Sequence, residues 1–526
     1  MNATAEPVLL RSPEEERRDR QSIAFAAFFA AAAFLLQMLT NGQYGYFRDE
    51  LYYIACSKHL AFGYVDMAPL APFLLRICRA IFGDSLHSIR LIPAISYAIG
   101  VFLTGLLTRE FGGKRFAVLL ACGAWLLTPV INANATRYSM NANEPVLWMA
   151  AVYFLIRAQR LNRPKLLILC GVFLGIGLEN KHSAVFFIGA LVIGLLLTRD
   201  RRIFRSKYFW IAVAIAAVLA LPNFLWQATH GFPTWVDLNN VRREHKNVEL
   251  PSLAFIHQQF DTLDPINSLI WIPGLLWLLF ARDGKRYRYL GLTFIVFFLF
   301  MMKMHAKDYY VAPIYSMLFA VGAVFWQWAS NRKAWRWLRG ALPVVIFGMG
   351  LITIPITLPV LPVDRIVRYR EMLGLKIEKA ETHMSSPLPQ YFSDQFGWPE
   401  MVAAVAQIYN ALPPDQRAHT AILARQLRRS RGNRLLRRTV RLTQIHQRPP
   451  ELLLLGISQL HQRRYVHPAA MASGRRGASL PKLRSGPHVG PKMGHGRGAL
   501  HHLDLSRIQA PNGRSLGKTQ TLELSR

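Results

Sequence analysis

The sequence predicts an all-α polytopic membrane protein, with surface helices in its first outer loop and a small, truncated external domain behind the last span. Three observations carry this. Hydrophobic residues make up 52% of the 526-residue chain. They gather in repeated runs near the ~20 residues a helix needs to cross a bilayer. Basic clusters punctuate those runs at alternate ends, as expected of loops that stay on the cytoplasmic side.

About eleven spans read from the apolar runs, at 21–40, 88–108, 115–131, 144–159, 165–179, 183–198, 209–227, 265–281, 287–303, 310–329 and 338–360. The clusters Arg17 to Arg20, Arg109 to Arg115, Arg157 to Lys165, Arg199 to Lys207, Arg282 to Arg288 and Arg332 to Arg339 are then all cytoplasmic. This makes 1–20 a cytoplasmic tail and 21–360 the membrane domain. The outer face receives 41–87, 132–143, 179–182, 228–264, 303–309 and everything after about 361. A charged stretch precedes the first span and no small-residue cleavage site follows it, so the span is expected to remain as a helix. Cys56, Cys78, Cys122 and Cys170 lie in or near spans and show no metal-ligand spacing. They are assigned to packing, with a Cys56–Cys78 disulfide as the other option.

Residues 361–424 are less apolar and read as the start of an external soluble domain, with an amphipathic run after Gly397-Trp398-Pro399. Beyond them the composition changes. The formal net charge of the chain is +33, and 425–526 holds 21 Lys and Arg against 3 Asp and Glu. Such a segment fits a disordered basic arm for nucleic acid or anionic lipid. A second reading is preferred. Arg425 to Arg434 reads RQLRRSRGNR, which the genetic code can write so that a shift of one base gives GNYGEAGAI. That peptide continues Thr420 to Ala424 as ordinary soluble protein, so 425–526 reads as an out-of-frame tail with no nucleic-acid partner.

The first outer loop holds the strongest chemical signal. Tyr44 to Tyr53 reads YGYFRDELYY, placing Arg48, Asp49 and Glu50 beside a membrane, where charge is costly and suggests a task. Leu51, Ile54, Ala55 and Leu60 fall on one side, which predicts a helix lying along the membrane surface with an acidic first turn suited to its dipole. The alternatives are that simple capping role and a general base aimed at an acceptor arriving from outside. Asp66, in Gly63 to Pro72, is either a helix cap or a substrate ligand.

Further charges recur on the outer face. Lys181, between two short spans, either snorkels or binds phosphate. Lys303 to Tyr310 breaks the positive-inside pattern with Lys303, His305 and Lys307 at an outer boundary, which suggests an anionic partner. Tyr309 and Tyr310 fit ordinary interfacial aromatics, and Lys307 with Asp308 fits an ion pair. Asn141 to Pro145, with Asn143 and Glu144, opens the fourth span; Leu221 to Phe224 and His230 to Pro233 close the seventh. Alone these are helix-end punctuation.

Taken together, F-R-D-E-L-Y-Y-I-A, S-M-N-A-N-E-P, L-P-N-F-L-W-Q-A-T-H-G-F-P, K-D-Y-Y-V-A-P-I-Y and G-W-P-E-M-V-A-A-V resemble the GT-C class of polyprenyl-phosphate-sugar-dependent glycosyltransferases. The likeness is to the branch of the protein O-mannosyltransferases and the lipid A aminoarabinose transferase, over roughly 20–424. It implies transfer of a sugar from a polyprenyl-phosphate donor to a glycan, lipid or protein acceptor at the outer face of a bacterial inner membrane. It further implies Asp49 as the catalytic base with Glu50 beside it, and Lys181 and Lys307 near the lipid phosphate. Arg48, His305 and Tyr309 join the phosphate-binding set, and Asp66, Asn143 and Glu144 the substrate-binding set. One departure is Asp66-Met67-Ala68-Pro69, where relatives often show a basic residue and paired prolines. No metal-ligand cluster stands out and metal dependence stays open. The competing reading is a transporter or flippase for an anionic or lipid-linked substrate, against which stand the lack of a convincing internal repeat and the gathering of charge at one face rather than the midplane.

Overall fold

The computed structural model describes residues 13–245, 247–375, 381 and 386–415. The junction near Ala424 and the basic segment 425–526 lie outside the described residues. The chain divides after Thr382 into two compact units. In the second, α20 (Trp398–Asn410) follows the short α19 (Gln390–Ser393), and Gly397 at φ 85° makes the left-handed turn that starts it. Trp398 Nε1 donates to the Asp394 carbonyl at 3.0 Å.

The described part of the first unit is built of helices and the loops that join them. In chain order it comprises α1 (Pro13–Thr40), α2 (Arg48–Lys58), α3 (Leu70–Phe82), α4 (Leu86–Ile89), α5 (Leu91–Glu110), α6 (Arg115–Leu127), α7 (Pro129–Ala135) and α8 (Met140–Arg160). Then come α9 (Leu167–Asn180), α10 (Ala184–Leu196), α11 (Lys207–Thr229), α12 (Pro233–Arg243) and α13 (Ser252–Leu263). The last are α14 (Ser268–Phe280), α15 (Arg288–Lys303), α16 (Tyr315–Ala329), α17 (Leu338–Thr357) and α18 (Val363–Met372). Among the described residues there is no strand, only an isolated antiparallel bridge between Asn247 and Glu381.

All eleven apolar segments contain a helix, yet the count of eleven spans is not confirmed. Among the described residues, five helices are long and apolar enough to cross a membrane, or seven if two bent pairs, at 59° and 100°, each make one span. The reason is length and polarity. Helices α9, α10 and α15 have 14, 13 and 16 residues, and at ~1.5 Å per residue they fall short of the ~30 Å hydrocarbon core. Helix α8 is long enough but carries Asn141, Asn143, Glu144, Arg157 and Arg160.

Close packing of small residues holds the bundle. A Cβ at Gly322 would stand 1.8 Å from the Ile270 carbonyl oxygen, and one at Gly274 2.3 Å from that of Leu318. Helices α14 and α16 therefore meet backbone to backbone, a contact that supplies packing where lipid removes the hydrophobic drive between helices. Gly322→Val is expected to force them apart and to destabilise by at least the ~1–3 kcal/mol of an overpacked core. Thermal unfolding in detergent checks this; an unchanged melting temperature would mean the crossing is not tight.

The first outer loop corrects two expectations. Helix α2 does not lie half-exposed on a surface, because every residue from Glu50 to Ser57 is buried. Its polar groups find partners inside: Arg79 Nη1 donates to Ser57 Oγ at 2.6 Å, and Tyr52 and Tyr53 are hydrogen-bonded as described below. Helix α3 is the amphipathic one, burying Ala71, Leu75 and Cys78 while Phe73, Ile77, Ile81 and Phe82 are exposed. All four cysteines are free and buried, so the Cys56–Cys78 disulfide does not form.

Candidate active site

The adjacent carboxylates of α2 part company. Glu50 is 0% exposed and forms a two-pronged ion pair with Arg90, Nε to Oε1 at 2.8 Å and Nη2 to Oε2 at 2.7 Å. It also accepts the backbone N–H of Phe47 at 2.8 Å and of Tyr138 at 2.7 Å. Arg90 in turn donates to the carbonyls of Asn41 and Gly45. Glu50 thus joins the loop before α2, the start of α5 and the turn before α8. Its ion-pair partner is Arg90. The side chain of Asp49 is 48% exposed, with Oδ1 accepting from Arg48 Nε at 3.2 Å, and Arg48 Nη2 reaches Glu381 at 3.4 Å.

The short helical turn Asp308–Ile314 carries Tyr309 and Tyr310 and follows Lys307. The rings of Tyr309 and Tyr310 meet edge to face at 4.9 Å between centroids. Lys181 Nζ lies 4.1 Å from the centre of the Tyr310 ring, and Lys307 Nζ 5.9 Å from that of Tyr309. Tyr309 lies within electrostatic reach of Arg137, Asp308 and Asp49, and Tyr310 within that of Lys181, Lys307 and Glu144. Asp49 and the cations therefore act electrostatically on one tyrosine pair, with Lys181 and Lys307 in direct ring contact. Asp308 accepts from Thr262 Oγ1 at 2.8 Å, which anchors the turn to α13 in place of the Lys307 pair expected from sequence.

Lys181 does not snorkel. It is buried and its Nζ stands 2.7 Å from Glu144 Oε2, while Ser183 Oγ donates to Glu144 Oε1. Asn143 accepts from Ser96 Oγ at 2.7 Å and donates to Asn180 Oδ1 at 3.4 Å. Both residues sit at the start of α8, where the Ser139 side chain accepts from Asn141 N–H and so starts the helix. His305 is exposed, at φ 49° in the turn that ends α15.

Asp66 caps no helix, since α3 begins behind Pro69 with no side-chain cap. It accepts from Tyr52 OH at 2.9 Å, and Tyr53 OH accepts from Met140 N–H at 3.2 Å. The segment Leu221 to Gln227 clamps the loop ahead of Asp66: Asn223 Nδ2 donates to the Phe62 carbonyl at 2.9 Å and Gln227 Nε2 to that of Tyr64 at 3.2 Å. Trp226 packs so close to Gly63 that a Cβ there would meet its ring at 2.3 Å. His182 Nε2 is 2.9 Å from Asn223 Oδ1. Because that oxygen only accepts, Nε2 carries the proton. Burial pushes the imidazole below its ordinary pKa, so it is neutral near pH 7. Among the described residues no group of three or more His, Cys, Asp or Glu is placed to hold a metal ion.

Sequence reasoning missed Arg90, Arg137 and Ser183. Arg90 and Arg137 carried a usable signal, since both are arginines in segments that the charge pattern assigns to the outer side, the same exception that singled out Lys307. Ser183 carried none; only the approach of α8 to the turn after α9 brings it to Glu144.

The dolichyl-phosphate-mannose-protein mannosyltransferase family matches residues 66–226, a stretch that includes Asp66, Arg137, Glu144 and Lys181 but not Asp49. The lipid A galacturonosyltransferase RgtD of Rhizobium johnstonii is 24% identical over 262 residues, covering 47% of this chain and 53% of the relative. The undecaprenyl phosphate-alpha-4-amino-4-deoxy-L-arabinose arabinosyl transferase 1 of Pseudomonas fluorescens is 29% identical over 162 residues, 29% of this chain and 28% of the relative. The chain thus spans about half the length of the first of these relatives and under a third of the second. ArnT from Cupriavidus metallidurans, solved with undecaprenyl phosphate bound, superposes with a TM-score of 0.53 at 16% identity over 74% of this chain and 81% of that one. The all-α, multi-pass, ArnT-like fold and the likeness to the GT-C glycosyltransferases read from the sequence are both borne out.

Proposed function

We propose that the chain is a membrane glycosyltransferase that moves a sugar from a polyprenyl-phosphate donor to a glycan, lipid or protein acceptor at the outer face of a bacterial inner membrane. The supporting observation is the tyrosine pair. A half-exposed carboxylate, Asp49, and three cations, Arg137, Lys181 and Lys307, bear on two touching rings. A reaction that needs a base on one side of a sugar and positive charge on a departing phosphate uses this set of groups.

In the proposed step, an acceptor hydroxyl attacks the anomeric carbon from the face opposite the phosphate. The new carbon–oxygen bond forms as the bond to the phosphate oxygen breaks, which inverts the configuration. Asp49 takes the hydroxyl proton, and Arg48 holds the Asp49 carboxylate in place. The leaving group passes from phosphodiester to phosphomonoester, and Lys181 and Lys307 take up the growing charge with Tyr309 and His305 as hydrogen-bonding partners. Cations placed in advance cost no reorganisation during the reaction. Asp66, Asn143 and Glu144 hold the sugar and the cations around it, and Glu144 positions the Lys181 ammonium through their 2.7 Å contact. Lys181→Met removes one phosphate cation and is expected to weaken donor binding about 10- to 100-fold, the worth of one charge-assisted hydrogen bond.

The test is the fate of a labelled sugar. Vesicles containing the chain, supplied with labelled polyprenyl-phosphate sugar and an envelope extract as acceptor, should yield covalently labelled acceptor and an equal amount of free polyprenyl phosphate. Label that changes sides with its phosphate bond intact would establish a flippase instead. A version read one base on from codon 425, run in parallel, shows what the basic segment contributes.

A further inference from the structure

We infer that Ser183 is a positioning residue for donor binding: its hydroxyl fixes the Glu144 carboxylate, which in turn aims the Lys181 ammonium at the donor phosphate. This rests on the donor reading above.

The first observation concerns the start of α10. Ser183 stands just before that helix, where a serine side chain ordinarily accepts a backbone N–H of the first turn. Here α10 begins with no side-chain cap. Main chain alone closes the turn, with the Ala184 N–H donating to the Lys181 carbonyl at 3.1 Å and the Phe186 N–H to that of Ser183 at 3.0 Å. The hydroxyl of Ser183 donates to Glu144 Oε1 instead.

The second observation is that the two oxygens of Glu144 are divided between residues two apart. Oε1 accepts from Ser183, and Oε2 lies 2.7 Å from Lys181 Nζ. The terminal torsion of a glutamate is broad, so a carboxylate held at one oxygen swings, whereas one held at both has its plane set.

The third observation is that Lys181 does not fix itself. Its backbone leaves α9 in an extended conformation, φ −158° and ψ 132°, and a lysine carries its charge on a flexible four-carbon stem. The buried ammonium is located by Glu144 and by the Tyr310 ring, 4.1 Å from Nζ to the centroid. An ammonium has three N–H donors, so the Glu144 contact orients Lys181 and leaves donors for a phosphate oxygen. Ser183 itself touches neither sugar nor phosphate in this scheme. A serine that only satisfied a buried carboxylate oxygen would matter equally with or without a lysine at position 181.

The experiment measures binding of undecaprenyl phosphate to purified full-length chain in nanodiscs, with undecaprenol, which lacks the phosphate, as the control lipid. Wild type, Ser183→Ala, Lys181→Met and the double variant form a cycle that isolates the coupling of the two residues. Ser183→Ala is expected to weaken binding about 10-fold, the order of one hydrogen bond to a charged group, and to add nothing in the Lys181→Met background. Ser183→Thr keeps the hydroxyl and should bind like the wild type. Undiminished binding by Ser183→Ala overturns the inference and leaves the donor reading standing. So does an equal loss in both backgrounds, or a Ser183→Thr as weak as Ser183→Ala. If the wild type does not distinguish the two lipids, or Lys181→Met binds as the wild type does, the donor reading fails and takes the inference with it. Should Ser183→Ala unfold, Ser183→Cys, similar in size with a weaker donor, runs the same cycle. A loss confined to the background with Lys181 supports the inference, and no loss overturns it.

Discussion

Glu50→Ala is expected to destabilise the chain by about 3–5 kcal/mol, the cost of leaving one member of a buried ion pair without its partner. Arg90 would keep its charge at a place with no solvent access, and two backbone N–H groups, of Phe47 and Tyr138, would lose their acceptor together. Each unsatisfied buried donor adds to the penalty. The loss should spread, because Glu50 and Arg90 tie residues 41–47, α2, α5 and the turn ahead of α8 into one body. Glu50→Gln should cost less, as its amide oxygen still accepts. Replacing the pair with apolar residues, Glu50→Leu with Arg90→Met, removes both charges and should recover part of the stability. Thermal unfolding of the four proteins in one detergent measures this. Equal melting temperatures for wild type and Glu50→Ala would mean that the loop is held by something else.

How far the sequence reached differs by feature. Helix positions were legible because long apolar runs leave few alternatives, and each of the eleven runs contains a helix. The span count was not legible. Periodicity does not reveal that α9 and α10 are short, nor that the chain bends by 100° between Leu263 and Pro265. Asp49 and Glu50 stood out as adjacent charges, but nothing local divides a half-exposed carboxylate from a buried one. That division is made by Arg90, forty residues on. The burial of α2 was hidden for a similar reason: its apolar stripe looked like a surface helix, and the partners of its other face, Arg79 and Asp66 among them, come from the rest of the loop. The lysines were found by an exception to the charge rule. Applied evenly, the same exception would have found Arg137.

Asp49→Asn is expected to lower the rate of sugar transfer about 10²–10⁴-fold, the usual contribution of a positioned general base. The change keeps size and shape. Because the side chain is 48% exposed and pairs with its neighbour Arg48, the fold should not suffer, in contrast to Glu50. Donor binding should also be kept, because the proposed phosphate ligands are on other residues. The loss belongs to the chemical step and not to substrate affinity. Single-turnover release of polyprenyl phosphate from chain saturated with labelled donor and mixed with excess acceptor, with Asp49 intact and with Asp49→Asn, isolates that step. The account predicts donor bound equally by both proteins and released at least a hundredfold more slowly by the variant. Equal release rates would contradict it and place the base elsewhere.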